Sequence, residues 1–243
     1  MSSALIIVGT GGHAVSVANV AISAGYSVIS FVDDNKVGQQ LMEMPVISEE
    51  VSKSGSSQYN YAIAIGDNAK RKRVYEEFIS DLPNANFPSL IHQSAVIGIN
   101  SQIEEGVVIM PNSNIGPNSK VGRCCIINTS SSIDHDCIVS DFASLAPGVI
   151  IGGNAKVGEL SAISIGAVCK HGIKIGNDSV IGASSYVNKD VGNNVVAYGI
   201  PCKKIRDRVH GEPYLLTDKA NLVLPMNTIE RKKAKTKPSI LFF

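Results

Sequence analysis

Residues 127–150 read INTSSS, IDHDCI, VSDFAS, LAPGVI: four lines of six, led by Ile127, Ile133, Val139 and Leu145, with Ser131, Cys137 and Ala143 standing fifth in the first three. The frame extends both ways without a slip, from Ile91 to Gly192, and sixteen of its seventeen leading positions are Ile, Leu or Val; the exception is Cys169. Ordinary composition would put an aliphatic residue at only about five of them. A six-residue period marks a parallel β-helix. A short strand turns a corner every hexad, one aliphatic side chain fills the axis, and a small fifth residue lets the next corner close. Taken three to a coil, the seventeen hexads predict between five and six coils, stacked at about the 4.8 Å that separates neighbouring strands. The aliphatic ladder is core, so chemistry must lie at the corners.

Upstream the period changes. Residues 1–88 alternate apolar runs with helical stretches: strands at Ala4–Val8, Val28–Val32 and Tyr61–Ile65, a helix at His13–Ala24 closed by Gly25, and a basic amphipathic helix at Asn68–Ser80. This βαβ pattern implies a small parallel sheet, a Rossmann-like half domain. Residues 89–206 form the β-helix unit. From about Asn193 the period is lost, leaving the turn-like Tyr198-Gly199-Ile200-Pro201, a short basic helix candidate, and an extension over 207–243 that carries Arg231, Lys232, Lys233, Lys235 and Lys237 and ends in Leu241-Phe242-Phe243.

Whole-chain totals narrow the function class. At 243 residues the chain can bury a proper core, and its formal net charge of +1 argues against nucleic acid or an anionic membrane surface as the main partner. With no basic leader before the first apolar run and no stretch of 18 apolar residues, the expected location is cytoplasmic. Five cysteines, an odd number without CxxC spacing, include Cys125, Cys137 and Cys169 at inward hexad positions, where thiols act as small apolar groups.

Two places carry candidate chemistry. Gly9-Thr10-Gly11-Gly12-His13-Ala14 follows the first strand and opens the first helix, the context of a phosphate-binding turn; His13 is either a ligand contact or a helix-start residue. Asp33 and Asp34 end the second strand, where an acid would reach a ribose hydroxyl, and Gly66-Asp67-Asn68 lies at the same sheet edge. Fewer than 90 residues provide half of a dinucleotide fold, so one nucleotide fits better than a nicotinamide cofactor. In the hexads, Asp134-His135-Asp136 sets an imidazole between two carboxylates at a corner, an arrangement that suits a general base. Positions 18 apart stack, so His135, Gly153 and His171 share one corner while Thr129, Pro147, Ile165 and Ala183 share another. His135 and His171 are two coils, about 9.6 Å, apart, too far for two nitrogens on one zinc, which lie within roughly 4 Å of each other. No metal is expected.

These parts occur together with an Asn128-Thr129-Ser130-Ser131 run before the corner histidine and Gly199-Ile200-Pro201-Cys202-Lys203 past the last coil. Over residues 1 to about 206 the chain resembles the bacterial sialic acid O-acetyltransferase (NeuD/PglD-type) family, which includes N-acetyltransferases of nucleotide-linked 4-amino-4,6-dideoxy sugars. The resemblance implies a left-handed β-helix, a homotrimer, acetyl-CoA between neighbouring β-helices and a nucleotide sugar on the first domain. It further implies His135 as base and Asp136 as its supporting acid, acceptor contacts at Gly11, Gly12, His13, Asp33, Asp34 and Gly66, and acetyl-CoA contacts at Gly153, Ile165 and Ala183. Ser144 stands where some relatives place a second histidine near the acetyl group, and Cys202 where alanine is usual. The resulting expectation is acetyl transfer to the 4-amino group of a nucleotide-linked deoxysugar in surface glycan synthesis, with UDP ahead of dTDP or GDP. The rivals are O-acetylation of a sialic or nonulosonic acid and a non-catalytic nucleotide-sugar-binding scaffold.

Overall fold

The computed structural model describes residues 3–54 and 59–215. Its first unit runs β1 (Ala4–Val8), α1 (Gly12–Ser23), β2 (Ser27–Val32), β3 (Gln40–Leu41), β4 (Met44–Ile47), α2 (Glu49–Ser54), β5 (Asn60–Ile63) and α3 (Asn68–Asp81). The apolar run at β1 makes it the centre of a sheet ordered β3-β4-β2-β1-β5, parallel except for the β3–β4 hairpin. α1 buries Ala14, Val17, Ala18, Val20 and Ala21, and α3 buries Tyr75 and Phe78. The expected strands and helices are present within one or two residues. The hairpin and α2 were not anticipated, because Met42 and Glu43 take the positive φ of the tight turn (51° and 63°) without the Gly or Asn that announces one.

Since β2 and β5 flank β1 on opposite sides, the chain reverses its winding there, and a crevice opens at the carboxyl edge between the loops after β1 and β5. The two loops touch at Gly9, which has φ 118° and whose missing Cβ would lie 3.0 Å from the Ala64 carbonyl oxygen.

The hexads form seventeen two-residue strands, β6 to β22, from Leu90–Ile91 to Tyr186–Val187. They build a left-handed parallel β-helix with three faces. The first face (Leu90, Val108, Ile126, Ser144, Ala162, Val180) continues into a terminal hairpin, β23 (Val195–Gly199) and β24 (Cys202–Asp207), making eight strands; the second (Val96 to Tyr186) has six and the third (Gln102 to Lys174) five. Residue i pairs with i+18, as in Ile115 with Ile133 and Ile133 with Ile151. Buried fifth-position serines such as Ser113, Ser119 and Ser161 are satisfied, because their hydroxyls donate to carbonyls of the next coil: Ser113 to Asn128 (2.9 Å), Ser119 to Asp134 (2.8 Å), Ser161 to Gly176 (2.6 Å). Burial pushes the inward thiols of Cys125 and Cys169 up to about 12, so they stay protonated core groups.

Two expectations past the array are corrected. The 18-residue register stops after Val187: the next coil is two residues short, so Val191 pairs with Ile175 and Val196 with Val180. The short basic stretch past Pro201, with Lys203, Lys204 and Arg206, is strand β24 and not a helix, an exposed antiparallel edge beside β23. The basic residues 231–237 and the apolar end at 241–243 lie outside the described residues. Among those described, no helix is long and apolar enough to cross a membrane.

The first unit packs on the first face and on the corner between the third and first faces. Its lock is Arg71, a fully buried guanidinium on α3. Nε donates to the Cys124 carbonyl (2.8 Å), Nη1 to those of Ile65 (2.9 Å) and Gly66 (3.0 Å), and Nη2 to Asn68 Oδ1 (2.7 Å) and the Phe142 carbonyl (2.9 Å). Five donors thus meet five oxygens, spanning both units. Arg71→Leu would strip the buried carbonyls of Cys124, Ile65 and Phe142 of this donor and is expected to cost about 3 kcal/mol or more; urea denaturation checks this, and a loss below about 1 kcal/mol would contradict the assigned role.

Candidate functional site

Three groups of residues come together at three places on the chain. The first is the corner between the second and third faces. There Asp136 takes the left-handed conformation (φ 58°), in one column with Asn100, Asn118 and Asn154. His135 Nδ1 donates to Asp136 Oδ2 at 2.7 Å, which leaves Nε2 as the basic nitrogen of the neutral ring. Asn118, one coil away, donates its amide to the other oxygen of Asp136 (3.3 Å), and Asn100 donates to Asn118 (3.3 Å). The Asp134-His135-Asp136 pattern places both acids beside the imidazole. Only Asp136 holds the ring; Asp134 instead accepts the His135 backbone N–H at 2.8 Å.

The Asp136 hydrogen bond, then the Asp134 charge, raise the His135 pKa above the usual histidine value; the same bond and the Asn118 amide hold Asp136 low. The side chain of His135 is 50% exposed. The Nε2 end of its ring lies against Gly153, where a Cβ would stand 2.7 Å from Nε2 and 2.8 Å from Cε1. Glycine is therefore required one coil along, a contact the 18-residue stacking of these two positions already indicated.

The second group is the corner between the first and second faces, where Pro147, Ile165 and Ala183 stack: Gly166 N–H bonds Pro147 O (3.0 Å) and Ser184 N–H bonds Ile165 O (2.8 Å). Ile165 is 60% exposed. Gly153 is thus separated from Ile165 and Ala183 by the second face. Ser144 is on neither corner; it sits on the first face with its hydroxyl 3.1 Å from the Tyr214 phenol oxygen.

The third group is the crevice of the first unit. Gly11 and Gly12 are exposed, with open space where a Cβ would be, and α1 starts on Gly11 with no side-chain cap. A helix start of this kind favours an anion. Asp33 is tied to this turn: the Thr10 hydroxyl donates to Oδ2, Lys36 reaches Thr10 Oγ1 (2.9 Å), and the Asn35 N–H donates to Oδ1 (3.1 Å). Partial burial works against ionisation of Asp33 but is outweighed by the Thr10 and Asn35 bonds and the Lys36 charge, so its pKa lies low. Asp34 faces the other way and accepts the Glu49 N–H (2.9 Å) at the start of α2. Asp67 caps α3 through Lys70 N–H (2.9 Å), and buried Asn68 donates to Leu160 O (3.0 Å) and Ser161 O (3.1 Å), so of the triplet only Gly66 keeps a place on the crevice wall.

His13 is the second residue of α1, and its Nε2 is shielded without a partner among the described residues. Burial first, then the Arg71 charge, push it down to about 4, so the ring is neutral near pH 7. Thr10, Arg71 and Tyr214 were not flagged by the sequence. Thr10 was within the turn motif, whereas Arg71 and Tyr214 act through contacts more than fifty residues away.

Comparison with known proteins follows the same division. The PglD N-terminal domain family matches residues 4–78, and the bacterial transferase hexapeptide family matches 88–123 and 100–135. The GDP-perosamine N-acetyltransferase of Escherichia coli O157:H7 is 28% identical over 144 residues, 59% of this chain and 64% of that protein; the chain therefore spans less than two thirds of this curated relative. Among solved structures, PerB from Caulobacter crescentus in complex with CoA and GDP-perosamine superposes with a TM-score of 0.79 at 29% identity, covering 84% of this chain and 98% of that one. The acetyltransferase domain of PglB from Neisseria gonorrhoeae in complex with acetyl coenzyme A gives 0.79 at 28% identity, covering 84% and 100%. The chain thus joins a PglD N-terminal domain to bacterial transferase hexapeptide repeats and is similar to NeuD/PglD-type acetyltransferases. About a sixth of this chain has no place in the superposition on PerB, which is itself covered almost end to end.

The dyad geometry has a direct test by histidine NMR titration. Asp136→Asn removes the charge that favours the imidazolium, so the His135 pKa is expected to fall. Gly153→Ala is expected to lift the ring off its coil and lower the same pKa while the melting temperature holds. An unchanged His135 titration in both variants would refute the described contacts.

Proposed function

We propose that this protein transfers the acetyl group of acetyl-CoA to the amino group of a nucleotide-linked 4-amino-4,6-dideoxy sugar. The observation that carries the reading is the His135–Asp136 pair, whose basic Nε2 lies over Gly153 at an exposed corner of a β-helix that also bears an open glycine turn on a separate domain. The relatives named for GDP-perosamine N-acetylation and crystallised with CoA and GDP-perosamine support both halves, and they move GDP ahead of UDP and dTDP as the carrier.

In this mechanism the acceptor amine adds to the thioester carbonyl while His135 Nε2 takes its proton; the C–N bond forms, the C–S bond breaks, and the imidazolium returns the proton to the departing CoA sulfur. Asp136 holds the tautomer and stabilises the imidazolium. The Gly153 backbone beneath the ring supports its N–H as the donor to the oxyanion. No acyl-enzyme is needed, since the two substrates meet directly. Release of free thiol from acetyl-CoA with GDP-, UDP- and dTDP-linked amino sugars tests the reaction. His135→Ala is expected to lower kcat by about two to four powers of ten with acetyl-CoA binding retained; near-normal turnover at pH 7 would refute the base assignment.

The same reading calls for a homotrimer. Gly153 stands on one edge of the second face and Ile165 and Ala183 on the other, so one chain offers acetyl-CoA two separate half-sites. The second face between them carries outward Val96 (61% exposed), Ile150 (49%) and Tyr186 (39%) beside Asn114 and Ser132, whereas the third carries Lys120, Lys156 and Lys174 beside Ile138 (39%). An apolar face flanked by two half-sites is what a closed ring of copies would bury, and cyclic closure avoids fibres. Light scattering is expected to give about three times 25.7 kDa, and Ile150→Lys to reduce that mass and abolish turnover together. A fully active monomer would sink the interface proposal.

A further inference from the structure

Beyond β24 the chain turns back across the molecule to the carboxyl edge of the first sheet. Its anchor is buried Asp178, which pairs with Arg208 Nη2 (3.2 Å) and His210 Nδ1 (2.9 Å) and accepts the Gly211 N–H (2.6 Å). Glu212 pairs with Arg206 at 2.7 Å. Held this way, Tyr214 sets its phenol oxygen 3.0 Å from Gly66 O, 3.0 Å from Asn68 Oδ1 and 3.1 Å from Ser144 Oγ. Leu215 Cδ1 lies 2.9 Å from where a Gly66 Cβ would be. A phenol has one proton, so it donates to one of the two acceptor oxygens and accepts from Ser144. Gly66 O and Asn68 Oδ1 are also partners of Arg71, which makes Tyr214 part of the network that ties the loop after β5 to the β-helix.

That loop is one bank of the crevice at the reversal point of the sheet. The other bank, Gly11 and Gly12, stays open, so the returning segment walls the crevice without filling it. Around this bank, buried polar atoms have no hydrogen-bond partner among the described residues: His13 Nε2, Asp67 Oδ2, and Nε and Nη1 of Arg208. Buried groups of this kind are costly unless a polar ligand meets them.

We infer that Tyr214 is a positioning residue of the acceptor site, and that residues 208–215 form its wall, holding the Gly66–Asn68 bank in place for the nucleoside diphosphate part of the acceptor. This rests on the acceptor reading above. The test measures binding of GDP, UDP, dTDP and, separately, CoA to the full chain carrying Tyr214→Phe or Tyr214→Ala, with steady-state kinetics on the acceptor that turns over. Tyr214→Phe is expected to weaken nucleoside diphosphate binding and raise the acceptor KM by about three- to tenfold, with kcat, the acetyl-CoA KM and CoA binding unchanged, and Tyr214→Ala to do so more strongly. Tighter nucleotide binding in either variant would make the segment a plug and overturn the inference, as would an equal loss of CoA binding. Unchanged nucleotide affinity in both variants would overturn the role of Tyr214 and leave the acceptor reading standing, whereas wild-type protein that binds none of the three nucleotides would remove both.

Discussion

A strand of two residues cannot hold itself in place, so each coil of the prism is fixed by the coils above and below it, residue i against residue i+18. Once that register exists, every corner inherits its neighbours. Asp136 receives an amide from Asn118 because 118 and 136 are one coil apart, and the His135 ring has room because 153 is a glycine. The left-handed corner conformation that an Asn or Asp tolerates is used here twice, to turn the chain and to aim a carboxylate at an imidazole. The dyad therefore needs no loop of its own. It is built into the fold's repeat, and a change of one residue in a neighbouring coil alters it directly.

The second constraint joins the two units. Arg71 is a buried cation whose hydrogen-bonding partners are all uncharged oxygens, and it survives burial because five oxygens drawn from α3, the loop after β5 and two coils of the β-helix saturate its donors. Hydrophobic packing of α1 on the first face would permit sliding, since it is not directional. The planar fork permits none. Because Gly66 and Asn68 belong to the same network, one wall of the crevice in the first unit is set by the β-helix itself.

Much of this was legible in the sequence, and the reason is periodicity. The hexad frame yields the faces, the corners and the stacking of His135 with Gly153; the apolar run at β1 and the glycines behind it yield the half domain and its turn. Contacts without a period were invisible. Arg71 reads as one more base on an amphipathic helix, and its burial depends on which coils α3 meets. The β3–β4 hairpin lacks a turn residue, the short last coil breaks the count by two, and a short basic strand looks like a basic helix until β23 is placed beside it. Asp34 illustrates the limit of motif reading: it lies where a ribose contact is expected, next to Asp33, yet its carboxylate is aimed at the start of α2.

In a single chain the imidazole of His135 is half in water, and a base so exposed would serve hydrolysis of a thioester as readily as transfer to an amine. Catalysis of transfer needs that water removed. Among the described residues no element covers the corner: the first unit is packed on the first face, which in a three-sided prism is the face opposite the corner between the second and third. The cover in the proposed trimer is a second copy, brought in by the apolar second face. Excluding water would disfavour the imidazolium and pull the His135 pKa down, while Asp136, itself polarised by the Asn118 amide, pushes the other way. In the proposed reaction the carboxylate is then the element that keeps the ring basic enough to take a proton after its solvent has gone, a use for an acid at a corner position held by Asn100, Asn118 and Asn154 in other coils.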